Sequence, residues 1–473
     1  MSIASAFNNA TTGLAASARA VQVVSSNIAN ALTEGYAARR LDLGSATLGG
    51  GVRILGTTRL TDPVLQGLTR DAAASARFGG TRNAFWQRIE GALGLPGEGV
   101  SQALSAFDSS LVSASDRPDL DSRLGAVADR AAALAAQLGS VQDTVQSLRF
   151  QADTAIAQDV ETLNTGLARI DDLNEKIVRM QASGQSSLGL QDERAALIST
   201  LSEIVPMREM PRADGRITLF SSGGTLLLDI APAEIGFNRA PAMEPGLQAG
   251  AGLSGLTIGG RPVDTGASGP MAGGRLAANF QIRDVDGVQV QTRIDSFAGD
   301  LIARFSDPAS DPTLAPGAPG LFTDAGAAPT ATPGLAGRIA VNAAVQPAQG
   351  GALWRLRDGI GAAGPGAVGD ATQLSRLAAA LDRPVSVMPG SAQLTSAQSL
   401  GEMLTDVSRA RQGAEESAIS TQARHAELTE QGLAQGVDTD AEMQRLLMIE
   451  QSYAANARVI ETADSLLKRL MEI

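Results

Sequence analysis

The residues closest to a recognisable chemical site are the glycines of Gly359–Gly364, which have the G-x-G-x-x-G spacing of a dinucleotide-binding loop. In such a loop the glycines open a helix whose first amides hold a pyrophosphate. The run follows a short segment, Leu353–Leu356, that fits a strand. However, Pro365–Gly366 comes directly after it, and helical patterning resumes only near Thr372. We therefore expect no dinucleotide site and no cofactor.

Other residue types that carry catalysis are scarce. The chain has no cysteine, which removes disulfides, thiolate chemistry and cysteine metal sites. Its one histidine, His425, follows Arg424 on a polar helical stretch and is interpreted as a solvated surface residue. Adjacent carboxylates such as Asp171 and Asp172 point to different sides of a helix. No Walker loop, G-x-S-x-G elbow or zincin helix is present, so the sequence predicts neither an enzyme nor a metal site.

Length and charge exclude further classes of function. A chain of 473 residues is expected to form two to four domains. Fifty acidic against 38 basic residues give a net charge of -12, which argues against nucleic acid as a partner. The sequence contains no run of about 18 apolar residues, so no membrane-spanning helix is predicted. The first 20 residues lack the basic head and apolar stretch of a cleaved signal peptide.

Both ends of the chain show apolar residues at alternating intervals of three and four, the pattern of a coiled-coil helix. The first helix is expected to end by Gly35. A single helix with one apolar stripe must bury that stripe, so the partners are the other terminal helix or copies of the chain. Asn456 lies within the second stripe and is expected to fix its register. The predicted assembly interface consists of Phe7, Leu14, Val21, Val24, Ile28, Leu446, Ile449, Tyr453, Asn456, Ile460, Leu467 and Leu470.

The middle of the chain combines long helices with a β-rich insert. Residues 116–182 are rich in strong helix formers and predict one or two long helices. A further helix is predicted over 190–205 and ends before Pro206. Short apolar runs separated by glycines, as in Ile217–Phe220 and Thr225–Ile230, then predict hairpins. Helical patterns return over 276–305, 372–381 and from 399 to the end, while residues 308–337 are rich in Pro, Gly and Ala and predict a linker.

The predicted fold is therefore mainly α with a β-rich insert, in an elongated protein of several domains. Residues 1–40 and 437–473 are predicted to form a terminal coiled-coil assembly domain. Residues 41–206 and 274–436 are predicted to form a helical rod-like domain that contains the linker. Residues 207–273 are predicted to form one β-rich domain that points outward.

Two terminal strings resemble the motifs of flagellar rod, hook and hook-associated proteins. The first is Ser25–Tyr36 followed by Arg39, and the second is Tyr453–Asp464. The signature residues carried over are Asn27, Ile28, Asn30, Thr33, Gly35, Tyr36, Asn456, Thr462, Ala463 and Asp464. The internal string Leu190–Val205 is similar to the helix that marks the hook-associated protein 1 (FlgK) family. That string is not expected in rod or hook proteins.

The resemblance implies a secreted structural subunit of the bacterial flagellum at the hook-filament junction. Such a subunit is exported unfolded without a cleaved signal peptide and self-assembles into a ring at the hook tip. The implied partners are the hook protein, the second junction protein and an export chaperone that binds the C-terminal region. Two alternatives stay open: another axial protein, which would lack the long helix of residues 116–182, or a cytoplasmic coiled-coil scaffold.

Overall fold

Helices make up most of the secondary structure in the computed structural model, which describes residues 3–33, 35–46, 50–266, 268–386 and 392–471. The described helices are α1 Ile3–Ala29, α2 Pro63–Leu93, α3 Gly99–Asp116, α4 Asp121–Ala182, α5 Leu188–Ser202, α6 Gly274–Gln281, α7 Gly287–Ser306, α8 Leu335–Arg338, α9 Trp354–Asp358, α10 Thr372–Asp382, α11 Ser396–Ala434 and α12 Thr439–Met471. A π-helical turn, Ile282–Asp286, joins α6 to α7, and two 3-10 turns cover Ala343–Val345 and Pro347–Gln349. The predicted class, mainly α with a β-containing region, is confirmed.

The strands are short and form small, separate sheets. They are β1 Arg39–Ser45, β2 Val52–Arg59, β3 Met207–Pro211, β4 Ile217–Ser221, β5 Leu226–Leu228, β6 Ile235–Gly236, β7 Gln248–Ala249, β8 Gly252–Leu253, β9 Leu256–Ile258, β10 Arg261–Val263, β11 Phe322–Asp324, β12 Ile339–Val341, β13 Val385–Ser386 and β14 Gln393–Leu394. Two sheets have three strands, in the orders β3-β4-β5 and β10-β9-β6. The others are pairs: β1-β2, β11-β12 and β13-β14 are antiparallel, and β7-β8 is parallel. The hairpin predicted from Ile217–Phe220 and Thr225–Ile230 corresponds to β4 and β5.

The chain forms two compact units. Unit 1 contains residues 1–75, 164–233 and 421–473, and unit 2 contains residues 76–163 and 234–420. The predicted β-rich segment 207–273 is therefore divided between the two units, with β3, β4 and β5 in unit 1. Its outward placement stays a prediction.

The core of unit 2 is built around three phenylalanines from different parts of the chain. Phe107 of α3, Phe305 of α7 and Phe322 of β11 are fully buried, with ring centroids 5.3 to 5.7 Å apart. Phe322 lies in the segment 308–337 that was expected to be a linker. Strand β11 instead pairs with β12, and Leu335 of α8 joins the same core. A composition of Pro, Gly and Ala does not form a core alone, but its few large apolar residues can complete one made by neighbouring helices.

Helix α4 spans 62 residues, in agreement with the prediction for residues 116–182. It has Asp121 in its first turn and Arg179 in its last turn, which match the helix dipole. In unit 1 its C-terminal part contributes buried Leu167, Ile170 and Leu173 to a core shared with α5 and the β3-β4-β5 sheet. Helix α5 ends at Ser202, shortly before Pro206.

Several elements differ from the prediction. Helix α1 ends at Ala29, before Gly35, and the β1-β2 hairpin lies in a region expected to be helical. Residues 353–356, which fitted a strand, instead form the N-cap and first residues of helix α9. A segment of four residues matches a strand or a helix turn equally well, so the pattern could not decide between them.

Candidate assembly interface

The two terminal helices, α1 and α12, pack against each other within unit 1, and we call them the terminal helix pair. Gly13 of α1 faces Asn456 of α12. A Cβ atom placed on Gly13 would lie 2.7 Å from Nδ2 of Asn456. A side chain at position 13 would have to displace the side chain of Asn456, so Gly13 leaves room for Asn456 against the backbone of α1.

The buried face of α1 consists mainly of small residues. Its buried positions are Ala10, Gly13, Ala16, Val23, Val24 and Asn27. The predicted seam of larger apolar residues shares only Val24 with this face. Most side chains of the predicted seam point about 100° away from the buried face, which is the angle between consecutive residues of a helix. Packing inside the chain therefore uses one face of α1 and leaves much of the predicted seam accessible.

The predicted interface residues consequently differ in burial. Val24 is buried, and Phe7, Tyr453 and Leu467 are exposed. Seven are half-buried: Leu14, Val21, Ile28, Leu446, Ile449, Asn456 and Ile460. The side chain of Leu470 lies outside the described residues. Whether these residues form an assembly interface stays a prediction.

Helix α12 also exposes large apolar side chains that the sequence prediction did not include. They are Met443, Leu447, Met448, Val459, Leu466 and Met471. The only apolar residue among the described side chains of α12 that is fully buried is Ala463, at 4% exposure. Their number could have indicated these residues from the sequence, because α12 has more apolar side chains than a single seam can hold. Apolar patches of this kind mark surfaces that contact other proteins.

The N-terminal signature forms a hydrogen-bonded turn between α1 and β1. The fully buried amide of Asn27 donates to the carbonyl of Arg39 (2.8 Å) and accepts from its N–H (2.9 Å). The hydroxyl of Tyr36 also donates to Oδ1 of Asn27, at 2.8 Å. Asn30 caps the end of α1 by donating to the carbonyl of Ser26. We call residues 27–33 and 35–39 the signature turn.

Gly35 and Tyr36 have distinct roles in the signature turn. Gly35 has φ +78°, a left-handed conformation that favours glycine, and a Cβ there would lie 2.9 Å from Cβ of Ala196 on α5. The guanidinium of Arg39 lies over the ring of Tyr36, 4.9 Å from its centroid. The turn is therefore packed directly on the helix that contains the internal family string.

A carboxylate of α5 binds the base of the β1-β2 hairpin. Asp192 accepts from Nη2 of Arg39 and from Nε of Arg59, both at 2.9 Å. The two arginines are cross-strand partners in the hairpin. We call Arg39, Asp192 and Arg59 the ion triad. Arg59 was missed from the sequence, because nothing in the local pattern shows that it faces Arg39.

Helix α5 is itself held firmly to α4. The buried guanidinium of Arg194 donates to Oδ1 of Asn174 at 2.7 Å and to the carbonyl of Gly215 at 3.0 Å. Burial lowers the pKa of Arg194 to about 10, so it stays charged at neutral pH. Leu201 packs over Gly166, where a Cβ would lie 2.6 Å from it. The surface that receives the signature turn is thus a rigid one.

The C-terminal signature residues lie along α12. Ala463 is buried, and Thr462 donates to the carbonyl of Arg458. Asp464 forms an exposed ion pair with Lys468 at 2.8 Å, a geometry that contributes little stability. Asn456 is the signature residue that faces α1.

His425 has a less solvated position than expected. It is half-buried and lines a cavity of about 750 Å³ in unit 1, together with Tyr36, Arg59, Leu65 and Leu428. The polar sequence around His425 gives no sign of this cavity, since Tyr36, Arg59 and Leu65 come from distant parts of the chain.

The Gly359–Gly364 run lies in a loop of unit 2. Ile360 N–H donates to Asp311 at 2.8 Å and Gly361 N–H donates to Thr313 at 3.0 Å. The next helix, α10, begins at Thr372. The amides that a dinucleotide loop offers to phosphate are therefore engaged by side chains of this chain.

Two features are absent from the part of the chain that the structure describes. No cluster of three or more His, Asp or Glu side chains there is arranged as a metal site. None of the described helices is both long and apolar enough to cross a membrane.

Comparison with known proteins gives three family matches along the chain. Residues 86–320, about half of the chain, match the flagellar hook-associated protein FlgK helical domain. Residues 7–36 match the flagella basal body rod protein family, and residues 434–473 match the C-terminal region of the flagellar basal body rod FlgEFG proteins. The flagellar hook-associated protein 1 of Bacillus subtilis (strain 168) is 25% identical over 233 residues. The chain belongs to the FlgK family of flagellar hook-associated proteins.

Other similar proteins also match about half of this chain. Flagellar hook-associated protein 1 of Salmonella typhimurium (strain LT2) is 26% identical over 236 residues, which are 48% of this chain and 43% of that protein. The Bacillus subtilis match covers 46% of each chain. A solved structure of the flagellar hook junction protein FlgK from Burkholderia pseudomallei has a TM-score of 0.46 at 18% identity and covers 54% of this chain and 46% of that one. The matches span about half the length of these curated relatives.

The two terminal family matches coincide with elements that meet in unit 1. Residues 7–36 contain most of α1 and the start of the signature turn, and residues 434–473 contain α12. The terminal helix pair is thus built from the two segments that this FlgK-family chain shares with rod proteins.

Proposed function

We propose that this chain is a structural subunit of the bacterial flagellum that assembles at the hook-filament junction and joins hook to filament. The observation that carries the proposal is the terminal helix pair. It is built from the two segments that match axial proteins, and it exposes Phe7, Leu447 and Leu467. Large apolar side chains on a thin helix pair need a further partner. The proposed role is structural and includes no catalytic step.

The partners in this proposal follow from the exposed faces and the family. Copies of the chain form a ring, in which each subunit uses two different faces because a ring is built from head-to-tail contacts. The hook protein lies on one side of the ring and the second junction protein on the other. Before assembly, an export chaperone covers the C-terminal region, which is where α12 exposes its apolar side chains. Export to the extracellular flagellum proceeds without a cleaved signal peptide.

Helix α4 favours this role over that of another axial protein. The hook-associated family is distinguished by a long helical domain, and all 62 residues of α4 lie within the segment that matches that domain. A rod or hook protein is expected to lack this helix.

A strain that lacks the gene provides the test. We expect it to build hooks, to shed filament protein into the medium and not to swim, and we expect this chain to restore filaments and to be found at the hook tip. Wild-type filaments in the deletion strain would contradict the junction role. Retention of the protein in the cytoplasm, independent of the flagellar exporter, would favour a coiled-coil scaffold instead.

A further inference from the structure

We propose that Asp192 is a positioning residue for assembly: it fixes the signature turn, and with it the end of α1, against α5. The inference rests on the proposed function for its biological consequence. Its structural content concerns unit 1 alone.

The first support is the ratio of charges in the ion triad. Two guanidinium groups share one carboxylate, and the three side chains are only 14 to 21% exposed. Nε of Arg39 and Nη2 of Arg59 are buried and have no hydrogen-bond partner among the described residues. Like charges directly across a strand pair repel, so the hairpin base needs an anion between the two arginines. Asp192 is the carboxylate that contacts both.

The second support is the series of hydrogen bonds that connects Asp192 to α1. The side chain of Arg39 binds Asp192, and the backbone N–H and carbonyl of Arg39 both bind the buried amide of Asn27. Asn27 belongs to the last turns of α1. One residue thus connects the helix end to α5 by three hydrogen bonds of 2.8 to 2.9 Å.

The third support is the anchoring of α5, the helix that contains Asp192. Arg194, two residues after Asp192 on α5, is anchored to Asn174 of α4, and Gly35 packs against Ala196 without room for a side chain. Because α5 is anchored in this way, a displacement of the Asp192 carboxylate moves the signature turn and not α5. The internal family string and the N-terminal signature thus contact each other in the fold, because the signature turn packs on α5.

The matched variants are Asp192→Asn, Asp192→Glu and a control, Glu193→Gln. Asp192→Asn removes the charge, and Asp192→Glu keeps it but displaces the carboxylate by one methylene. Glu193 is the adjacent residue of α5, and its exposed pair with Arg169 lies outside the ion triad. The charge-retaining variant guards against simple loss of folding.

The structural measurement uses the absence of cysteine. Spin labels on Arg53→Cys of β2 and Thr200→Cys of α5, both exposed positions, report the distance between hairpin and helix in the full-length protein. We expect a broader distance distribution with Asp192→Asn and a shifted one with Asp192→Glu. The Glu193→Gln control should match the wild type. Unchanged distributions in both Asp192 variants would overturn the proposal whatever the role of the protein in the cell.

The biological measurement is hook-tip occupancy in the complemented deletion strain. We expect a loss of about tenfold or more for Asp192→Asn, and of about threefold for Asp192→Glu with a melting temperature within about 2 °C of the wild type. Wild-type occupancy of Asp192→Glu, or losses that merely follow the melting temperature, would contradict a positioning role. Absence of the wild-type chain from the hook tip would reject the proposed function and leave the spin-label result to judge the positioning of the turn.

Discussion

The interior of unit 2 and the terminal helix pair bury different kinds of side chain. Unit 2 encloses Phe107, Phe305 and Phe322 completely, together with many Leu, Ile and Val residues. The terminal helix pair encloses mainly alanine, glycine and two valines of α1, and Ala463 of α12. Buried apolar area is the main source of folding free energy, so the core of unit 2 contributes much of it while the pair gains little from its internal contact.

The difference shows that the two regions depend on different partners. Unit 2 is completed by its own chain. We propose that neighbours in an assembly complete the terminal helix pair, because several of its larger apolar residues stay exposed. Substitutions in the two regions should therefore act on different equilibria.

The largest effect is expected for Leu467→Arg. Leu467 is 42% exposed, so the arginine should cost the free chain little. In the proposed assembly the same position would be enclosed, where an unpaired charge costs on the order of 3–5 kcal/mol. We expect hooks without filaments, shed filament protein and normal export of a folded variant. The volume-conserving control, Leu467→Met, should assemble. Normal filaments with Leu467→Arg at the hook tip would show that this side of α12 does not drive assembly.

A pair of phenylalanines gives the sharpest comparison between the regions. Phe305→Ala should destabilise unit 2 by about 3–5 kcal/mol, because it empties the centre of the aromatic trio. Phe7→Ala changes the same side chain at a position that is 41% exposed, and it should alter unfolding by about 0.5 kcal/mol or less. Calorimetry on the full chain measures both. Equal losses would mean that Phe7 is packed as tightly as Phe305.

A smaller effect is expected at Gly13. Gly13→Val forces Asn456 away from α1, at a cost of about 1–3 kcal/mol for the contact between the helices. Gly401→Val is the matched control, since Gly401 is also helical and a Cβ there meets nothing within 4 Å. In cells that make both variant and wild type, the Gly13 variant should be under-represented at the hook tip and the Gly401 variant should not. Equal representation of the two variants at the hook tip would show that assembly does not need the close contact of α12 with Gly13.

How much could be predicted depended on the range of the interactions. The long helix α4, the hairpin of β4 and β5 and both terminal helices follow from local patterns of residue type, and they were predicted. The face that α1 buries was not, because the small residues Ala10, Gly13 and Ala16 have no strong periodic signal and are selected by the close approach of α12.

The signature turn shows the same limit. Its residues Asn27, Gly35 and Tyr36 were recognised by resemblance, while their hydrogen bonds and the contact with Asp192 join positions up to 153 residues apart. Arg59 and the burial of Phe322 were missed for the same reason. Long-range pairing leaves no mark in a short window of sequence.

Limited proteolysis of the purified free protein shows whether the terminal helix pair depends on its neighbours. If the terminal helix pair is marginal until neighbours cover it, cleavage should begin within residues 1–40 and 436–473 and leave a resistant middle that contains α4 and the aromatic trio. The same ends should become resistant in isolated hook-filament junctions. Early cleavage in the middle with both ends spared in the free chain would contradict the account.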